Sequence, residues 1–216
     1  MRTLLGLFLL LASITAHGAE IFCNNKLGSN GNEVYGVFRD FGIDPGDCVV
    51  ARIEGAVVQG DAQKVEDFLS TNPGVVYAHL NLVGGNVGES MRIGDIMRRW
   101  SMFTFAVESD TCASSCVLIW LGGADRYADD NHLKVHRFYV LDEEFQRMSG
   151  VEIDRFYQDI TSQLREYLSR MGVESDQDEL IRSIMTTPPE ELKIINEFTH
   201  PRLFGTPTSR DQWVRA

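Results

Sequence analysis

Several patterns that define common protein classes are missing from this chain of 216 residues. Beyond the N-terminus, no apolar run reaches the roughly 20 residues that a membrane-spanning helix needs. No polybasic stretch is present, and the formal net charge is −11. Nucleic acids and anionic membranes attract positive surfaces, so we expect neither as a partner and no stable membrane anchor.

Cofactor and metal motifs are missing as well. The dinucleotide fingerprint Gly-x-Gly-x-x-Gly does not occur, and no lysine follows a glycine-rich turn as in phosphate-binding loops. The redox motif Cys-x-x-Cys does not occur. The one Cys-x3-Cys pattern has no His-x3-His nearby, so it is a weak signal for a zinc site. The sequence therefore predicts no cofactor and no metal.

The N-terminus, "MRTLLGLFLLLASITAHGAE", has the pattern of a secretory signal peptide. Arg2 precedes an uncharged apolar run over residues 4–12, and small residues follow it. Residues 1–19 are the predicted signal peptide, with Ala19 or Glu20 as the first mature residue; Ala16-x-Gly18 slightly favours the cut before Ala19. The alternative is a membrane anchor, for which the run is short. We expect a periplasmic or secreted protein.

Four cysteines lie beyond this segment: Cys23, Cys48, Cys112 and Cys116. An even number in an exported chain favours disulfides, and four cysteines allow three pairings. We prefer Cys23–Cys48 and Cys112–Cys116, because residues at i and i+4 on a helix lie about 6 Å apart, within disulfide range. Metal binding is the second interpretation.

Strands and helices alternate along most of the chain. Residues 20–47 are rich in Gly, Asn and Asp and predict a loop-rich lead-in to a domain over residues 48–216. Strands are predicted over residues 48–58, 75–83, 102–108 and 132–140; helices over 61–72, 87–100, 143–171, 178–187 and 190–198, with one more opening at 111. This order predicts an α/β fold with largely parallel pairing.

Two short segments suggest a site. Gly84 and Gly85 follow a strand and precede a helix, where backbone N–H groups can bind an oxyanion or another anion. The alternative is a tight turn without a ligand. In "TCASSC", Ser114 is expected in the first turn of a helix, where its hydroxyl could act as a nucleophile, and His136 on a later strand could take its proton. The alternative is a structural histidine.

At these residues the chain resembles a periplasmic relative of the Clp protease proteolytic subunit, in the wider ClpP/crotonase superfamily. The family motif Asn-Ser-Pro-Gly-Gly-x-Val is similar to "LNLVGGNV", "CASSC" followed by "LGGADR" is similar to its nucleophile segment, and "LKVHRF" to its histidine strand. The resemblance covers about residues 49–138. It implies a ClpP/crotonase-like layered fold of repeated β-β-α units with C-terminal helices.

The resemblance also implies a catalytic site. Ser114 would be the nucleophile, His136 the base, and the backbone N–H groups of Gly85 and Ser115 the oxyanion hole. A peptide or protein would be the substrate, and because relatives form rings or trimers, a homo-oligomer is implied.

The chain departs from the family motif at two places. Leu82-Val83 replace its Ser-Pro, and residues 181–192, where the triad acid is expected, contain no aspartate. Ser183, Thr186 or Thr187 could orient the imidazole instead, or the site could be a Ser-His dyad; Lys134, on the strand face of His136, offers a Ser-Lys alternative.

Two functions follow as hypotheses. The first is a secreted or periplasmic serine hydrolase, most specifically a peptidase. The second is a non-catalytic binding protein that keeps the fold while its triad has decayed. A crotonase-type acyl-thioester enzyme fits less well, since its substrates are cytosolic.

Overall fold

The computed structural model describes residues 18–24, 26–27, 32–33, 47–107, 110–139 and 147–204. In this part the chain is a mixed α/β protein with an eight-stranded sheet, a separate two-stranded sheet and five α-helices. The strands are β1 (Glu20–Cys23), β2 (Lys26–Leu27), β3 (Asn32–Glu33), β4 (Val50–Val57), β5 (Tyr77–Gly85), β6 (Phe103–Ala106), β7 (Cys112–Ala113), β8 (Asp125–Ala128), β9 (Leu133–Val135) and β10 (Lys193–Ile195). The helices are α1 (Asp61–Thr71), α2 (Val87–Arg99), α3 (Cys116–Gly122), α4 (Gly150–Arg170) and α5 (Gln177–Thr186), and a 3-10 turn covers Pro201–Leu203.

The large sheet follows the order β1-β4-β5-β7-β9-β10, and β5 has two neighbours on one side. β6 pairs with the first half of β5, whereas β7 pairs with it near the end, at Leu82. The pairs β4–β5, β5–β6, β5–β7, β6–β8 and β7–β9 are parallel. The prediction of largely parallel pairing is confirmed, and only β1 and β10 run antiparallel to their neighbours in the described sheet.

Helix α3 forms the centre of the core. All seven of its residues are buried, which is why its sequence is apolar on every side. A side chain on Gly94 or Gly122 would collide with the other helix, so α2 and α3 approach closely there. Tyr167 of α4 donates its hydroxyl hydrogen to the Leu118 carbonyl. The core therefore fixes α3 against the sheet, α2 and α4.

Both preferred disulfides are present. Cys23 is bonded to Cys48 and Cys112 to Cys116, with Cα–Cα distances of 5.6 and 5.2 Å. The second bond was predicted along a helix face, but the structure does not place it there. Cys112 is the first residue of strand β7, and helix α3 begins only at Cys116. The bond therefore closes the turn between them.

Apart from the bounds of several elements, two other sequence predictions were wrong and one strand was missed. The helix expected over residues 190–198 is replaced by β10, which pairs with β9. Residues 20–23 form a strand rather than a loop, because they pair with β4. Strand β8 was not predicted at all. These segments are three or four residues long, and their conformation is set by pairing with distant strands rather than by local pattern.

None of the described helices is both long and apolar enough to cross a membrane. Residues 1–17 lie outside the described residues, and so does most of the predicted lead-in over 20–47. The two disulfides fit an extracytoplasmic protein, because such bonds persist in oxidising compartments.

Candidate functional site

A cavity of about 790 Å³ opens where four parallel strands end. Strands β4, β5, β7 and β9 run in the same direction, so their carboxyl ends meet at one edge of the sheet. Ligands in open α/β sheets bind at this edge. The cavity is lined by Ala56, Val57, Val58, Gln59, Val83, Gly84, Gly85, Asn86, Val87, Gly88, Ser114, His136, Phe138, Tyr139, Phe156 and Ile160. Four residues singled out from the sequence, Gly84, Gly85, Ser114 and His136, therefore line one cavity.

Ser114 has an unusual backbone conformation. Its φ of 57° lies in the left-handed region, which costs a non-glycine residue about 1–2 kcal/mol. Its N–H donates to the Lys134 carbonyl at 2.8 Å, and the disulfide joins the residues two positions to either side. Ser114 is half-buried at the cavity, and its hydroxyl forms no hydrogen bond with any described residue. A strained turn thus presents this hydroxyl to the cavity.

The glycine turn packs directly beneath this serine. Gly84 has a φ of 93°, and a Cβ built on it would lie 2.7 Å from the Ser114 Cβ and 3.0 Å from the Ser115 nitrogen. Gly85 has a φ of 138°, and a Cβ there would collide with the carbonyl of Val57. Both glycines are therefore required for close approach as well as for positive φ.

His136 follows β9 and faces the same cavity. Its Nδ1 lies 2.9 Å from the carbonyl oxygen of Arg137, which makes Nδ1 the donor and leaves Nε2 as the acceptor. The ring is half-buried, and its centroid lies 6.0 Å from that of Tyr139. Among the described residues, no hydrogen bond joins His136 to Ser114. In ligand-free sites, catalytic hydrogen bonds are often long and tighten only with substrate.

The two adjacent serines have different environments. Ser115 is fully buried, and its hydroxyl accepts a hydrogen bond of 2.9 Å from Ser90. The same hydroxyl donates to the Gly85 carbonyl at 3.3 Å. The Ser90 oxygen also lies 3.0 Å from the Asn86 carbonyl oxygen, so its single hydroxyl hydrogen is shared between these two acceptors. The Ser115 side chain thus ties the start of α3 to the start of α2, whereas the Ser114 side chain is open to the cavity.

The hydroxyls considered as orienters of His136 have other partners. Thr186 donates to the Arg182 carbonyl at 2.8 Å, and Thr187 donates to the Ser183 carbonyl at 2.7 Å. Ser183 is buried and accepts from Lys193 Nζ at 3.0 Å. An orienting role for these hydroxyls stays a prediction. The partner that the structure gives the imidazole is the carbonyl of Arg137.

The apolar wall of the cavity was not expected from the sequence. Phe156 and Ile160 lie four residues apart on α4, within an apolar stripe at helical spacing, and such a stripe normally faces the core. In the structure they face the cavity together with Phe138, so the stripe extends past the core. Periodicity alone does not distinguish residues that face the core from residues that line a cavity, because both sets are apolar.

A second polar cluster lies close to the turn that precedes β7. Asp110 accepts hydrogen bonds from His79 and from Arg52, the latter at 3.0 Å. Burial acts to raise the pKa of Asp110, but the hydrogen bond and charge of His79, with those of Arg52, hold it below its ordinary value. The Thr111 N–H donates to Asn81 Oδ1 at 2.9 Å. These contacts fix the segment that leads to Cys112.

Within the described ranges, no three His, Cys, Asp or Glu side chains gather as a metal site. No protein-family model matches the chain, and no curated protein is significantly similar to it.

Proposed function

We propose that the protein is a secreted or periplasmic serine hydrolase, most specifically a peptidase, with a ClpP/crotonase-like layered fold. The observation that carries the proposal is the position of Ser114. It sits in a left-handed turn above the Gly84 backbone and lines the same cavity as His136. A nucleophile held in such a turn is presented to the cavity and has few backbone conformations to lose before attack.

In the proposed reaction, Ser114 Oγ attacks the carbonyl carbon of a peptide bond and transfers its proton to His136 Nε2. The backbone N–H groups of Gly85 and Ser115 stabilise the resulting oxyanion. The imidazolium then protonates the leaving amine, and a water molecule, activated by the same imidazole, hydrolyses the acyl-enzyme. The Arg137 carbonyl, which accepts from Nδ1, takes the orienting role that an aspartate has in a full triad.

The cavity suits a peptide with apolar side chains. Its walls are formed by aliphatic and aromatic residues, including Val58, Val87 and Phe156, and no Asp, Glu, Lys or Arg is among the described residues that line it. Apolar walls with a few convergent polar groups are typical of substrate sites. Export is proposed on the predicted signal peptide, and assembly into a homo-oligomer stays a prediction from the resemblance.

Labelling by a fluorophosphonate serine probe tests the proposal. The wild-type protein should label, Ser114→Ala should abolish labelling, and His136→Ala should reduce it strongly. Ser115→Ala is the matched control, since the adjacent hydroxyl has structural partners and should be dispensable for labelling. Lys134→Gln should leave labelling unchanged; its loss would favour the Ser-Lys alternative. Labelling that survives Ser114→Ala but not Ser115→Ala would contradict the assignment of the nucleophile.

A binding protein without catalysis is the second candidate. It is favoured by the partner of His136, which is a carbonyl rather than a carboxylate, because a weaker partner stabilises the imidazolium less. A folded wild-type protein that binds apolar peptides in this cavity but never labels would establish this alternative.

A further inference from the structure

The backbone nitrogen of Ala19 lies against a completely buried carboxylate. It donates a hydrogen bond of 2.9 Å to Asp61 Oδ2, and Ala19 is only 4% exposed. The Asp61 side chain has no exposed surface, while its ion-pair partner Lys64, at 2.6 Å, is more than half exposed. A buried carboxylate is unfavourable unless cations and hydrogen-bond donors surround it. The position of the Ala19 nitrogen is therefore one where a positive charge would be stabilised.

Asp61 also connects this nitrogen to the candidate site. Its Oδ2 accepts a second hydrogen bond, of 2.8 Å, from the N–H of Val58. Val58 and its neighbour Val57 line the cavity. The Val57 carbonyl accepts from the Asn86 N–H at 2.8 Å, immediately after the glycine turn. A continuous series of contacts thus runs from Ala19 through Asp61 to the wall of the cavity.

Gly18 lies in a space that accepts no side chain. A Cβ built on it would lie 2.6 Å from Val58 Cγ2 and 2.7 Å from Asp61 Oδ1. Leader peptidases also require a small residue immediately before the bond that they cut. Residue 18 must therefore be small for two reasons: it packs against Asp61, and it precedes the bond that the leader peptidase cuts.

We infer that leader cleavage between Gly18 and Ala19 creates an α-ammonium group that pairs with buried Asp61. Through Asp61 this group stabilises the position of Val58 in the wall of the cavity. The inference rests on the proposed export. A leader peptidase adds water across the peptide bond, so Gly18 leaves as a carboxylate and the Ala19 nitrogen becomes an amine, which is protonated near neutral pH. A neutral donor to Asp61 is thereby replaced by a cation at the same atom.

The geometry also distinguishes the two predicted cleavage positions. A cut before Glu20 would remove the nitrogen that contacts Asp61 and place the new amine one residue further, about 3.8 Å along the chain. Glu20 is exposed and belongs to β1, where it pairs with Glu54. The contact with Asp61 therefore selects Ala19 as the first mature residue.

Two measurements on the exported protein test this inference. Mass spectrometry should find Ala19 as the first residue. An amine-acylating ester at neutral pH should modify the Ala19 α-amine about tenfold or more slowly in the folded than in the denatured protein, since only the unprotonated, accessible amine reacts. Asp61→Asn should remove this protection. Asp67→Asn, an exposed position on the same helix, is the matched control and should keep it.

A further variant covers the case in which Asp61→Asn does not fold. A mature protein that begins Ser-Gly-Ala19 keeps a glycine next to Asp61, but its Ala19 nitrogen is again part of a neutral amide. Its melting temperature should therefore lie about 3 °C or more below that of the protein that begins at Ala19. The inference would be overturned if the exported protein began at another residue, or if its α-amine reacted as fast in the folded as in the denatured chain. It would also be overturned if the protection survived Asp61→Asn, or if the protein with the additional Ser-Gly melted at the same temperature as the wild type. No readout depends on hydrolysis, so a failure here is distinct from a failure of the proposed function.

Discussion

Replacing Gly84 by alanine should be considerably more destabilising than replacing Gly60, although the two glycines have nearly the same φ, 93° and 97°. A Cβ at Gly60 would meet nothing within 4 Å, so Gly60→Ala isolates the cost of positive φ. We expect that cost to be about 1–3 kcal/mol.

At Gly84 the same conformational cost is joined by overlap. The new Cβ would lie 2.7 Å from the Ser114 Cβ and 2.8 Å from the carbonyl oxygen of Ala113. The turn that carries these atoms is closed by a disulfide and hydrogen-bonded to β9, so it moves little. Overpacking of this kind costs about 1–3 kcal/mol, which sets the expected difference between the two variants.

Urea unfolding of both variants under non-reducing conditions measures this difference in unfolding free energy. The comparison holds if the slope of the free energy against urea concentration is the same for both variants. Probe labelling of Ser114 should fall about tenfold or more in Gly84→Ala and stay near wild type in Gly60→Ala, because small displacements of a reacting group have large effects on rate. Equal unfolding free energies for the two variants would refute the close packing of Gly84 against the Ser114 turn.

Three other changes have defined outcomes. Ser115→Ala should lower the free energy of unfolding by about 1–3 kcal/mol in urea titrations, because it leaves buried hydrogen-bonding partners unsatisfied. Replacing both Cys112 and Cys116 by alanine should cost about 2 kcal/mol of loop-closure entropy, less than the about 3.5 kcal/mol for the other disulfide, since the sequence separations are 4 and 25. Burial acts to raise the pKa of Asp110, but the hydrogen bonds and charges of His79 and Arg52 lower that pKa overall. The stability that this lowered pKa provides is present above the ordinary carboxyl range and is lost as the pH falls below about 4; Asp110→Asn should make acid unfolding shallower.

The elements that carry the site could be predicted because their local patterns are strong. Strand β4 is rich in β-branched residues, and α2 repeats its apolar residues at helical spacing. The glycine turn was recognisable because Gly84 and Gly85 stand between two such elements.

The conformation of Ser114 could not be predicted in the same way. A φ of 57° at a non-glycine residue depends on the hydrogen bond to the Lys134 carbonyl and on the disulfide, both set by the tertiary structure. The sequence placed Ser114 in the first turn of a helix, whereas that helix begins two residues later. Similarly, residues 193–195 are too few for a local pattern to identify a strand, and the partner that sets their conformation lies about 60 residues earlier.

The late position of β10 in the chain has a consequence for truncated forms of the protein. β9, the strand that leads to His136, is covered on its outer side by β10 alone among the described strands. A chain that ends before residue 193 would expose the backbone N–H and C=O groups of Leu133 and Val135 as an open sheet edge. Such edges recruit strands from other molecules. C-terminal clipping would therefore convert the histidine side of the sheet into a template for aggregation.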